Sequence, residues 1–175
     1  MTGLPVPIPA TEAVGNFITA ALWNSQIYNS FTFLLNPPIA QYMQTSAQAI
    51  AATTMTSITW PTPVYDSYGG YAAGTPTRYT PQVAGWYLAI GNVAFAANAV
   101  GARAAQFAKN GATVVNQIAG TNATASFNSV LGVTSLINCN GTTDYFELQG
   151  EHTSTTNPLN TAPAVTSMTV LWIHA

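Results

Sequence analysis

From Ser57 to the C-terminus, turn signals cut the chain into eight short β-type runs, and no other feature narrows its fold so far. The runs cover residues 58–65, 77–83, 85–96, 102–109, 113–118, 125–139, 144–151 and 165–174. Between them fall breaks such as Tyr68-Gly69-Gly70, Lys109-Asn110-Gly111 and Asn140-Gly141, whose residues adopt the backbone angles of tight turns. This spacing predicts a mainly β protein, a jelly-roll β-sandwich.

The runs alternate in two ways. In 144–151, Phe146 and Leu148 face one side and Tyr145, Glu147 and Gln149 the other, as in a strand with one buried and one solvated face. In 85–96 both faces are apolar: Tyr87, Val93 and Phe95 oppose Trp86, Leu88 and Ile90. The last run repeats this, with Met168, Val170 and Trp172 opposite Leu171 and Ile173. A two-layer sandwich covers one face of each sheet, so a second apolar face needs another subunit or the N-terminal helix against it. Trp86, Leu88, Ile90, Met168, Val170 and Trp172 are the expected contact residues.

The N-terminal part has a different texture. Residues 1–9 alternate Pro with small apolar residues and predict an extended arm. A helix is expected over 20–35, with Thr19 as N-cap and Asn36-Pro37-Pro38 as its stop. Ala20, Asn24, Ile27, Phe31 and Leu34 follow alternating four-three spacing, which suits either a short coiled-coil seam or an amphipathic helix lying on a neighbour. Both readings require a partner, because so short a helix is marginal alone in water. Ile27, Phe31, Leu34 and Leu35 are the expected attachment residues. Residues 41–56, rich in Ala, Thr, Ser and Gln, read as a linker or first edge strand. The expected organisation is therefore 1–40 for attachment, 41–56 as connection and 57–175 as the jelly roll.

Charge excludes several classes of function. Only 5% of the residues are charged, yet four Trp, eight Tyr and seven Phe argue against a disordered chain. So uncharged a surface is expected to be covered by identical subunits or a larger assembly. Arg78, Arg103 and Lys109 are the only Lys or Arg residues, too few and too scattered to neutralise a run of phosphates, so no nucleic-acid partner is expected. No basic residue precedes Arg78 to form the start of a secretory signal, and no uninterrupted apolar stretch is long enough for a membrane span. Cys139 stands alone and reads as a small buried residue.

A search for chemistry finds little. His152 beside Glu151 is the best base pair in the sequence, but neighbours on a strand point to opposite faces. Asp66, Asp144, Glu147 and Glu151 lack the dense spacing of a calcium loop, and no Gly-rich phosphate cradle opens a helix. No enzyme activity, cofactor or metal is expected. Tyr65, Tyr68 and Tyr71, in and beside the 66–76 loop, are candidate glycan contacts; the other reading places them in the core or between subunits.

Several segments carry a family likeness. Tyr79-Thr80-Pro81-Gln82-Val83-Ala84-Gly85-Trp86-Tyr87-Leu88, Asn92-Val93-Ala94-Phe95, Lys109-Asn110-Gly111 and Gly141-Thr142-Thr143-Asp144-Tyr145-Phe146-Glu147-Leu148 precede a final apolar strand. In this order, over residues 57–175, they resemble the complement component 1q and tumour necrosis factor-like jelly roll as it occurs in phage proteins. Phe17-Ile18-Thr19-Ala20-Ala21-Leu22-Trp23-Asn24, with Phe33-Leu34-Leu35-Asn36-Pro37-Pro38, is similar to a segment recurring at the start of virion surface and tail proteins of phages infecting actinobacteria. The resemblance implies a homotrimeric, non-enzymatic virion protein made in the host cytoplasm: a capsid decoration, head fibre or minor tail protein held to other virion proteins by its N-terminus. The alternative it leaves is a module of a tail fibre or tail tip that binds host carbohydrate. This helix lacks the charged residues often seen in such segments. Complement-type calcium ligands cannot be placed residue by residue in this sequence, so metal binding is not carried over.

Overall fold

The computed structural model describes residues 6, 7, 11, 13–15 and 17–175, without the side chains of 115–117. Most of the arm expected over residues 1–9 lies outside the described residues.

The helix begins at its cap. Thr19 is extended and its hydroxyl accepts the Leu22 amide at 3.1 Å, which satisfies one of the N–H groups a helix start leaves unpaired. Ala20–Trp23 is α-helical, Asn24–Tyr28 forms a π turn, and Asn29–Leu35 is α-helical again. Asn36 leaves the helical region and Pro37-Pro38 cannot resume it. The wider π turn interrupts the uniform four-three spacing between Ala20 and the Phe31 and Leu34 stripe.

The strands, in chain order, are β1 (Ile39–Met43), β2 (Ala49–Ile50), β3 (Thr56–Ser57), β4 (Tyr65–Asp66), β5 (Ala84–Phe95), β6 (Ala102–Lys109), β7 (Ala112–Asn122), β8 (Ser129–Asn140), β9 (Phe146–His152), β10 (Leu159–Asn160) and β11 (Ser167–His174). One sheet runs β4-β1-β11-β5-β8, the other β3-β9-β6-β7, and β10 pairs with β2. The body therefore starts at Ile39 and not at Ser57. β1 lies between β4 and β11, with Ala40 and Tyr42 facing the core and Gln41 and Met43 facing out. The runs expected at 58–65 and 77–83 are mainly loop: Ile58, Trp60, Tyr79 and Val83 are buried, but Pro61, Pro63, Pro76 and Pro81 deny these segments a continuous ladder of donors.

Facing aromatic rings fill the space between the sheets. Phe107 meets Phe146, Phe146 meets Tyr79 at 5.4 Å between centroids, and Tyr79 meets Tyr87 and Tyr42. Chain entry and exit share one end of the sandwich, where the Trp172 amide donates to the Pro38 carbonyl at 2.9 Å. Gly85, at φ +135°, lets β5 start beneath this junction; a Cβ there would strike the His174 carbonyl and the Trp172 indole nitrogen. The opposite end carries the loops 96–101, 123–128 and 153–158.

Candidate functional site

Register places an aliphatic row across the outer face of the five-stranded sheet. Ile39 on β1 pairs with Leu171 on β11, Leu171 with Leu88 on β5, and Leu88 with Leu136 on β8. Directly opposed residues point to the same side, and this side faces away from the core. Trp86 and Leu136 are 43% and 53% exposed on it, and Ile173, at a register shift in β11, is 47% exposed. The next row along, Tyr65, Gln41, Thr169, Ile90 and Thr134, is more polar, and Met43, Ser167, Asn92 and Gly132 beyond it more polar still. The apolar part thus lies toward the helix end. Asp66 is the only Asp, Glu, Lys or Arg in these five strands, and it pairs with inward-facing Ala40.

Of the six contact residues expected from sequence, Trp86, Leu88 and Ile90 lie on this face. Met168 and Val170 do not: both are fully buried in the core of the sandwich. With both faces of the last strand apolar, alternation alone could not tell inside from outside. Pairing with Leu88 and Ile39 turns Leu171 outward and its neighbours Val170 and Met168 inward. Trp172 is half-buried at the base of the helix. Ile39, Leu136 and Leu171 complete the row without having been expected there; the strict in-out burial of β8, visible as alternation of Leu131, Val133 and Ile137 with Val130, Thr134 and Leu136, is the signal that marks one of them.

Phe33 fastens the helix to the body. Phe33 is buried, packing edge-on against Trp172 at 4.9 Å and Tyr68 at 6.4 Å, with Val83 and Val6 completing the cluster. Ile27, Phe31, Leu34 and Leu35 all remain exposed, Leu35 at 84%, so the body's own surface leaves them uncovered. Trp23 and Tyr28 add to this apolar surface.

The three candidate glycan tyrosines do not form a platform. Tyr68 is buried and donates its hydroxyl to the Asn36 carbonyl at 2.9 Å, closing the helix end. Tyr71 turns inward against Tyr42, with its hydroxyl donating to the Trp60 carbonyl at 3.4 Å. The Asp66 carboxylate gathers this loop by accepting the amides of Gly69 and Tyr71, each at 2.9 Å. Tyr65 alone of the three is exposed, and it belongs to the edge of the outer face.

His152, Glu147, Arg103, Cys139 and Asp144 have structural settings. His152 is fully buried; its Nδ1 accepts the Ser154 amide at 3.2 Å and its Nε2 donates to the Ile50 carbonyl at 2.8 Å. Both ring nitrogens are occupied, so this histidine has no lone pair to offer as a base. Glu147 is buried beneath Thr77, whose hydroxyl donates to it at 2.5 Å, and Arg78 approaches at 3.8 Å. Arg103 is buried, its guanidinium donating to the carbonyls of Asn98, Val100 and Ala102; desolvation lowers its pKa from the usual arginine value. Burial pushes the Cys139 thiol up to about 12, which leaves it unreactive at neutral pH. Asp144 binds two turns together: Asn110 Nδ2 donates to it at 2.7 Å, Lys109 Nζ at 2.9 Å and the Asn140 amide at 3.0 Å, and these bonds hold its carboxyl below the usual aspartate range. Among the described residues no three His, Cys, Asp or Glu side chains converge on a metal position, and no helix is long and apolar enough to cross a membrane.

No protein-family model matches the sequence, and no curated protein does. Solved structures do match. The globular domain of zebrafish complement 1qA aligns over 78% of this chain and 98% of its own, with a TM-score of 0.58 at 8% identity. Murine APRIL at pH 5.0 aligns over the same shares with a TM-score of 0.59 at 12% identity, and its pH 8.0 structure with 0.58 at 14%. The fold is the jelly roll of the complement 1q and tumour necrosis factor type.

In this jelly roll the two outer faces differ in kind. Opposite the aliphatic row, the four-stranded sheet carries a hydrogen-bonded polar row: Gln149 donates to the Ser57 hydroxyl at 3.2 Å, and Gln106 donates to Gln149 at 2.8 Å and to Thr113 at 3.0 Å. A face whose side chains satisfy one another tolerates water at little cost, whereas the aliphatic face gains from being covered. The end away from the helix is bland: its loops 96–101, 123–128 and 153–158 are built of Ala, Thr, Ser, Asn, Gly and Pro, with Phe127 and Val100 as their large apolar side chains.

Proposed function

We propose that this protein is a structural, non-enzymatic component of a bacteriophage particle, a homotrimeric capsid decoration, head fibre or minor tail protein. The observation that carries the proposal is the uncharged aliphatic row Ile39, Leu171, Leu88 and Leu136, flanked by Trp86 and Ile90, in which a single subunit leaves Ile39, Leu88 and Leu171 half-buried and Leu136, Trp86 and Ile90 exposed. Covering the apolar area that remains exposed contributes roughly 25 cal/mol per Å², so several such residues per copy together favour association. The likeness of residues 17–24 and 33–38 to the start of phage virion proteins supports the particle assignment, with exposed Ile27, Phe31, Leu34 and Leu35 docking on another virion protein. Helix and C-terminus share one end of the jelly roll, which suits attachment there and display of the opposite end. In this reading the protein is made in the host cytoplasm and resides at the particle surface.

The alternative, a host-carbohydrate receptor module, loses the tyrosine platform on which it first rested, because Tyr68 and Tyr71 turn inward. Bland apical loops also favour decoration. Imaging of purified virions with an antibody to the jelly roll tests the assignment: regular labelling of capsid or tail is expected, and virions free of the protein contradict it.

A further inference from the structure

Two Asn-Gly pairs sit in neighbouring turns, Asn110-Gly111 between β6 and β7 and Asn140-Gly141 between β8 and β9, and both asparagines are exposed. Their side chains are held in opposite ways. The Oδ1 of Asn140 lies in a cradle of donors: the amides of Thr142, Thr143 and Asp144 each donate to it at 3.0 Å, and the Thr142 hydroxyl donates at 3.2 Å. Its Nδ2 donates to the Thr143 hydroxyl at 2.8 Å. The N–H of Gly141 has no backbone acceptor among the described residues. At Asn110 the Oδ1 accepts a single amide, that of Tyr145, at 3.0 Å, while Nδ2 donates to the Asp144 carboxylate at 2.7 Å.

We propose that Asn140-Gly141 is a site of spontaneous deamidation that the fold itself promotes. The Gly141 nitrogen attacks Cγ of Asn140 and gives up its proton to water. The Cγ–Nδ2 bond then breaks and the nitrogen, taking up a proton, leaves as ammonia, which closes a cyclic imide. Water opens the imide at either carbonyl and gives aspartate or isoaspartate, so a water is consumed for each ammonia released.

The turn favours the first step, in which Oδ1 becomes an oxyanion. Donors already in place hold an oxyanion more tightly than a neutral amide oxygen, because charge-assisted hydrogen bonds are the stronger, and backbone amides need no reorganisation to do so. The Asp144 carboxylate would oppose negative charge in this turn, and its pairing with Lys109 Nζ at 2.9 Å offsets that. At Asn110 the same carboxylate grips the leaving nitrogen and a single amide serves the oxygen, so the same dipeptide should persist there. The inference rests on the turn alone and is independent of the particle assignment.

The test holds full-length protein at mildly alkaline pH, folded and, in parallel, unfolded in guanidinium chloride. Digestion and mass spectrometry then read aspartate and isoaspartate at each site, with Asn110 as the internal reference in every sample. Conversion at Asn140 is expected about tenfold faster in the folded chain than in the unfolded one, a small part of what such donors supply in an enzyme. Conversion at Asn110 is expected to be slower in the folded chain. Thr142→Val, at an exposed position, removes one hydroxyl donor and should slow folded Asn140 severalfold while leaving its unfolded rate alone. If Asn140 converts no faster folded than unfolded, if Asn110 outpaces it in the folded chain, or if Thr142→Val leaves its folded rate unchanged, the proposal is overturned.

Discussion

Leu88 on β5 stands directly opposite Leu136 on β8, and both side chains point away from the core of the sandwich. With Leu171 on the other flank of Leu88, the pair forms the middle of the aliphatic row. Leu88→Asp should therefore leave the subunit folded and separate the copies, because the charge is tolerable only when that face meets water. Loss of one central contact of this kind costs about 2 kcal/mol or more, roughly thirty-fold in affinity. Sedimentation velocity over a dilution series checks it; an unchanged oligomer means the row is not the contact.

Met168 and Ile173 lie on the same strand with opposite duties. Met168→Ala should cost about 2–5 kcal/mol of subunit stability, as expected for a truncated core side chain. Ile173→Ser should cost under about 1 kcal/mol in the separated subunit, as an exposed substitution does, while shifting the association equilibrium. Denaturant melts of both variants, made in a Leu88→Asp background, separate the two effects.

Phe33 and Leu34 are neighbours that face different partners. Phe33→Ala should free the helix from Trp172 and Tyr68, so that proteases cut within residues 20–36 while the jelly roll survives. On the proposed particle assignment, Leu34→Asp should preserve that contact and abolish co-sedimentation with particles, since the exposed stripe would then carry a charge. A chain cut before Pro37 should fold and associate but fail to join particles. A cut at residue 57 should not fold, because it removes β1 from the middle of a sheet.

Asp144 makes stability depend on acid. Its pKa is depressed in the folded state by Asn110 and Lys109, so its contribution is present above the unfolded-state value and is lost as pH falls through the folded one. Asp144→Asn should lower the thermal midpoint at neutral pH, and the gap to wild type should close below about pH 4, where an unperturbed aspartate protonates. Thermal melts across pH give the answer; a constant gap argues against the carboxylate as the cause.

How much was legible in the sequence depended on length and on contrast. The helix could be read to its ends because Thr19 and Asn36-Pro37-Pro38 mark both of them. The long strands β5 and β8 emerge from runs of a dozen residues, and the two faces of β5 divide as alternation predicts, with Tyr87 and Val93 inside and Trp86 and Ile90 outside. β1 reads from sequence only as a linker or first edge strand, because five residues with Ala40 and Tyr42 as their inward members carry too little period to place it inside a sheet. Met168 and Val170 were assigned to the wrong side because apolar residues on both faces erase the signal that distinguishes them. The inward turn of Tyr68 and Tyr71 depends on bonds to Asn36 and Trp60, partners 32 and 11 residues away, which local pattern does not encode.

The central claim is that identical copies cover the aliphatic face, and the mass of the full-length protein in solution tests it most directly. Light scattering coupled to gel filtration at micromolar concentration should give a particle of three chains, each of 18.3 kDa. A stable particle of a single chain would contradict it.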